Sequence, residues 1–139
     1  MPRRALPAAI LAAALLAGGC GATTPTEEDA AEFGGEQRLV AQAIEDLQDA
    51  AIDGDEDRIC RELLAEGLAE RMGGTGQDCE RTVRDALEDT DTSDLTVRSV
   101  EISGTTATAR VKAERGDADR ETTVGLAKEG ARWRISRLA

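Results

Sequence analysis

The 139-residue chain has no histidine, no tyrosine and no asparagine, and its aromatic residues are Phe33 and Trp133. Without histidine, the side chain that titrates near neutral pH and the usual nitrogen ligand of zinc are both missing. Mechanisms built on a histidine base or a tyrosine hydroxyl are excluded with them. Cations are scarce: 17 Lys and Arg stand against 28 acids, for a net charge of −11. Such a balance excludes a nucleic-acid partner, whose phosphates demand a basic surface, and electrostatic adhesion to anionic headgroups. Only Lys112 and Lys128 are lysines. The Arg-, Ala- and Gly-rich composition has the bias of a GC-rich bacterial genome. Cysteine occurs three times, at 20, 60 and 79, with no C-x-x-C pair.

The one long apolar run covers residues 5–17, behind the short basic start Arg3-Arg4, and Pro7 interrupts it. At about 1.5 Å per residue it is too short to span a roughly 30 Å hydrocarbon core, so it reads as a signal peptide. Leu15-Leu16-Ala17-Gly18-Gly19-Cys20 closes the run with small residues before a cysteine. This stretch resembles the lipobox of bacterial lipoproteins, with Ala17 where leucine is usual and Leu16 one place early. The resemblance implies cleavage before Cys20, a thioether-linked diacylglycerol on Cys20 with palmitate-type chains, and residence on the extracytoplasmic face of the cell membrane. An ordinary secretory signal is the alternative reading. Arg3-Arg4 also raises twin-arginine export, which Ala5-Leu6-Pro7 fits poorly. The expected layout is 1–19 signal peptide, 20–35 lipidated disordered tether and 36–139 folded domain. The tether assignment rests on Thr, Pro, Gly and the acidic run Glu27-Glu28-Asp29, with little apolar pattern. Phe33 either docks on the domain or lies exposed.

Residues 36–53 predict the first helix, with Val40, Ala43, Ile44, Leu47 and Ala51 on one face. Gly54 predicts its left-handed end, and Asp55 caps a second helix over 56–64. Asp53, Asp55 and Asp57 mimic a calcium loop, but Arg58 and Leu64 stand where an EF-hand needs Gly and Glu. The run Glu88 to Asp94 fails the same test, and no metal site is expected. Gly67 splits off a short piece at 68–72, and a further helix runs over 78–89. Cys60 and Cys79 lie on apolar helix faces, and export places them in an oxidising compartment, so a disulfide is expected. Two buried free thiols remain the alternative; a redox or zinc pair lacks the required motif and ligands.

From Leu95 the apolar period changes from 3.6 to 2. Leu95 and Val97 share a face, then Val100 and Ile102, so a β-bulge is expected at Arg98-Ser99. Ala107, Ala109, Val111 and Ala113 predict a second strand, Thr122, Val124 and Leu126 a third, and Trp133 and Ile135 a fourth. Ser103-Gly104, Gly116-Asp117 and Lys128-Glu129-Gly130 are the turns between them. The pattern predicts an α+β domain, N-terminal helices packed on a curved, bulged four-stranded antiparallel sheet. In its Asp53-Gly54-Asp55 junction, its Ile59-Cys60 and Asp78-Cys79 pair and its closing Gly130-Ala131-Arg132-Trp133-Arg134-Ile135, it resembles the cone-shaped nuclear-transport-factor-2-like (cystatin-like) fold. It is similar in particular to exported actinobacterial lipoproteins of that superfamily.

The resemblance brings ketosteroid-isomerase-like enzymes and cyclases into view, whose pockets hold an acid or histidine base. No acid here interrupts an apolar strand pattern, so no catalytic residue is assigned and the expectation is a non-enzyme. The expected role is a non-catalytic binding or accessory domain of the cell envelope. Its partners would be the membrane, through the lipid, and an envelope protein. A carrier or sensor of an apolar small molecule is the alternative. Leu47, Val111, Trp133 and Ile135 are the candidate pocket lining, although a residue such as Trp133 more often fills the core. No cofactor beyond the lipid on Cys20 is expected. Arg110, Lys112, Arg132 and Arg134 suggest a basic stripe, either ion-paired and solvated or a docking surface.

Overall fold

The computed structural model describes residues 30–74, 76–88, 94–115 and 117–138. The expected signal segment, Cys20 and tether residues 20–29 lie outside the described residues, as do 89–93 of the acidic connector. Residues 30–35 of the expected tether are structured. A 3₁₀ turn, Ala30–Glu32, packs on the first helix, and Phe33 lies half-buried against the core. The backbone N–H of Ala30 donates to Glu45 Oε1 at 2.8 Å, and the Ala30 side chain is buried.

Helix α1 spans Gly35–Asp53 and buries Val40, Ala41, Ile44 and Ala50. It ends as the sequence predicts: Gly54 adopts φ +66°, and its N–H closes back on the carbonyls of Ala50 and Ala51. A side chain at that φ is strained, which is why glycine ends the helix there. Asp55 then accepts a hydrogen bond from the N–H of Arg58 at 3.1 Å. Asp57 pairs with Arg61 at 2.6 Å and Asp46 with Arg58 at 3.5 Å. The aspartates of this junction therefore serve helix punctuation and surface pairing.

The regular second helix expected over 56–64 is corrected. Helix α2 is the single turn Glu56–Arg58, and a π turn, Ile59–Leu63, continues it. Leu64 leaves in an extended conformation, its N–H still bonded to the Ile59 carbonyl at 3.0 Å. Its departure has a tertiary cause. Leu64 forms a parallel bridge with Ile135, and the Ala65 N–H donates to the Ile135 carbonyl at 2.7 Å. Helices α3, Glu66–Arg71, and α4, Gln77–Glu88, follow. Cys60 in the π turn and Cys79 in α4 form a disulfide with Cα atoms 6.1 Å apart, and both residues are buried.

Strands β1, Asp94–Ser103, β2, Thr106–Arg115, β3, Ala118–Glu129, and β4, Arg132–Leu138, form an antiparallel meander in the order β1-β2-β3-β4. The register slips between Val97 and Ser99, at the bulge the sequence predicts. A second slip passes over Ser136, since Gly125 faces Arg137 and Leu126 faces Ile135. Both bulges lie on edge strands, where an extra residue bends the strand and raises the local twist. The sheet curves around the helices, and Ile44, Leu64, Val111, Leu126 and Ile135 fill the space between. The edges are covered from the helical layer. Leu64 and Ala65 lie along β4. On β1, Gln37 Nε2 donates to the Val100 carbonyl at 3.0 Å and Gln48 Oε1 accepts from the Leu95 N–H at 3.2 Å.

Candidate functional site

The C-terminal half of α1 walls an open apolar pocket of about 260 Å³. Leu47, Gln48, Ala51 and Ile52 of α1 form one wall. Val83, Ala86 and Leu87 of α4 form the opposite wall. Leu95 of β1, Ala113 of β2 and Leu138 of β4 supply the sheet side, and Ile59, Leu64 and Met72 close the inner end. The pocket follows from the sequence. Along α1, residues 47, 48, 51 and 52 share one stripe, as do 83, 86 and 87 on α4. Small residues at 51, 86 and 113 leave unfilled the space that larger side chains would occupy. The disulfide joins the π turn that carries Ile59 to α4, which carries Val83, so it ties the inner end of the pocket to one wall.

The chemistry of the lining is uniform. Gln48 is the one polar side chain on it among the described residues, and the amide oxygen is committed to Leu95. No carboxylate, lysine or arginine lines the pocket among the described residues. Two nearby charges pair with each other outside it. Arg84 pairs with Glu56 at 3.0 Å. The Glu56 carboxyl is held below the usual carboxylate range by its own backbone N–H and then by Arg84, and the pairing raises Arg84 in turn.

The four residues expected to line a pocket are separated by the structure. Leu47 lies on the pocket wall. Val111 and Ile135 are fully enclosed in the core between sheet and helices. Trp133 is buried against the core at the other end of the domain. Its indole N–H donates to Glu36 Oε2 at 2.7 Å, and Lys128 lies 5.8 Å from its ring centroid while bonding Glu36 Oε1 at 2.9 Å. The ring also walls a shallow groove with Leu39, Ala43 and Leu63. The sequence reading missed the rest of the lining: Gln48, Ala51 and Ile52 of α1, Ile59, Leu64 and Met72 at the inner end, Val83, Ala86 and Leu87 of α4, and Leu95, Ala113 and Leu138 of the sheet. The α4 residues carried a legible signal, the apolar stripe of their helix.

The suggested basic stripe is divided as well. Arg110 pairs with Glu121 at 2.5 Å, and Lys112 sits between Glu114 at 2.7 Å and Asp119 at 3.0 Å. These acids raise the Lys112 pKa, Glu114 most and then Asp119. Arg134 instead donates to the carbonyl of Arg61 at 3.0 Å, and Arg132 borders the groove beside Trp133.

No protein-family model matches the chain, and no curated protein does. Among solved structures, a de novo designed NTF2-fold protein, NT-9, superposes with a TM-score of 0.51 at 10% identity. The match covers 77% of this chain and 88% of the designed one. With helices packed on a curved antiparallel meander, and with this likeness, the chain has the nuclear-transport-factor-2-like fold.

Proposed function

We propose that this protein is a lipoprotein anchored to the extracytoplasmic face of the cell membrane, and that its domain is a non-catalytic module that binds an apolar small molecule. The anchoring half is supported by the sequence: a basic start, an apolar run and Ala17-Gly18-Gly19-Cys20, whose cysteine would carry diacylglycerol. The observation that carries the binding half is the pocket itself. It is open, apolar on every wall, and its one amide is already committed on the oxygen side. Proton transfer at a bound substrate needs an acid or base within hydrogen-bond reach. The described lining supplies only apolar contact and an amide N–H₂, which suits binding.

The test is recovery of the protein from the membranes of its own cells, followed by mass spectrometry of the intact chain and of its organic extract. The expected result is a chain beginning at Cys20 with the added mass of diacylglycerol, and a non-covalent apolar compound released on denaturation. A soluble chain without the lipid would overturn the anchoring. A protein partner bound while the pocket stays empty would favour an accessory role in an envelope complex.

A further inference from the structure

We propose that the pocket takes the acyl chain of an uncharged lipid drawn from the membrane; this rests on the anchoring and binding reading above and names its ligand class. The lining sets the first condition. A ligand there must be apolar along its buried length, since among the described residues the walls offer carbon and the Gln48 amide alone. With its oxygen held by Leu95, Gln48 presents N–H₂ donors, which suit an ester or hydroxyl oxygen at the head of a chain.

Charge sets the second condition. A carboxylate or phosphate headgroup would find no cation on the lining among the described residues. The exposed faces of the two walling helices carry Asp49, Asp53, Asp85 and Glu88, which repel an anion. An anion desolvated there would be uncompensated, so the chemistry selects a neutral head.

Position sets the third. Ala30 is held beside Glu45 on α1, and Ile52 follows seven residues later on the same flank, two turns or about 10 Å along the helix. Residues 20–29 would separate this point from the lipid on Cys20, a reach of at most about 35 Å even fully extended. Ile52 and Leu138, both on the lining, are 57% and 53% exposed, an unusual degree for such side chains in a domain with few exposed large apolar residues. The pocket therefore opens through apolar residues on the flank of α1 where Ala30 is held, within that reach of a bilayer carrying the lipid of Cys20, so that an acyl chain would pass from one hydrocarbon setting to another.

The test uses the full chain with Cys20→Ser, which cannot be acylated. It is incubated with phosphatidylcholine vesicles doped with monoolein or with oleate, separated from them, and weighed by native mass spectrometry. The expected result is one monoolein per chain, retained at least about tenfold better than oleate, the discrimination an unpaired buried charge readily supplies. Ala113→Phe, which fills the pocket, should abolish the adduct. Ile52→Asp changes an exposed side chain, leaves the fold intact and should also weaken uptake. No adduct, equal adducts in both variants, or a preference for oleate or phosphatidylcholine would overturn the proposal. The intact mass of the wild-type chain separates the two claims. Acylation at Cys20 with a pocket that refuses monoolein sinks the ligand alone, and monoolein uptake by a chain that is never acylated sinks the anchoring alone.

Discussion

Glu36 shows how a single exposed residue can join parts of a chain that are far apart in sequence. Its carboxylate accepts from Lys128 Nζ and from the Trp133 indole, fastening the start of α1 to the β3-β4 hairpin. The hydrogen bond from Lys128, and then that from Trp133, hold its pKa below the ordinary value of 4.5. A lowered carboxylate pKa stabilises the fold above the unfolded-state value, and the contribution is lost as pH falls through the folded-state value. Glu36→Gln should therefore lower the melting temperature at neutral pH, with the gap to wild type closing in acid below pH 4.5. Trp133 is the one tryptophan, so its fluorescence should change over the same acid window in wild type and not in the variant. A second residue-level prediction concerns Gly73, at φ +106°, where an added Cβ would lie 2.7 Å from the Asp78 Cβ. Gly73→Ala should cost more than about 1 kcal/mol in chemical denaturation, because neither the backbone nor the neighbour accepts it. At this scale the sequence was readable wherever the cause was local. Gly54 and Asp55 were legible as helix punctuation because capping involves neighbours in the chain. The Glu36–Trp133 contact, across 97 residues, left no local sign. Val111 and Ile135 were legible as inward-facing, but alternation cannot distinguish a wall of a pocket from a filled core.

Among the elements, α1 does more than bury an apolar stripe. Gln37 and Gln48, eleven residues apart and so near one face, bond the Val100 carbonyl and the Leu95 N–H of β1. An edge strand with unpaired backbone groups is a template for association, and these amides cover two of them. Replacing both glutamines by alanine should destabilise the domain by about 1–3 kcal/mol, at roughly 0.5–1.5 kcal/mol per bond, and raise its tendency to self-associate. Calorimetry and light scattering would read the two effects. The disulfide links the π turn to α4 across 19 residues of sequence. Replacing Cys60 and Cys79 together by alanine should cost about 3 kcal/mol on the chain-entropy account, measured by denaturant unfolding. Strand elements were legible through their period, and the bulge at Arg98 through a slip in that period. The bulge at Ser136 had the same signature, a spacing of three from Ile135 to Leu138. The π turn had none, since Ile59, Cys60, Leu63 and Leu64 have ordinary helical spacing and Leu64 leaves only because Ile135 offers a partner.

For the molecule as a whole, the change of period from 3.6 to 2 was enough to place helices before a meander and to predict the α+β architecture. The location of the pocket was not legible to the same degree. It depends on how the π turn and α4, joined by the disulfide, come together with α1 and the sheet, and on the small residues at 51, 86 and 113. The acidic surface and the apolar pocket together make the central claim, that this nuclear-transport-factor-2-like domain holds a neutral apolar ligand between α1, α4 and the sheet. The most direct measurement is a nuclear Overhauser experiment on methyl-labelled protein with monoolein as the probe. The account predicts contacts from the acyl chain to the methyl groups of Leu47, Ile52, Leu87 and Leu95, and none to Val111 or Ile135. Contacts confined to the Trp133 groove, or no contacts in protein shown to be folded, would contradict it.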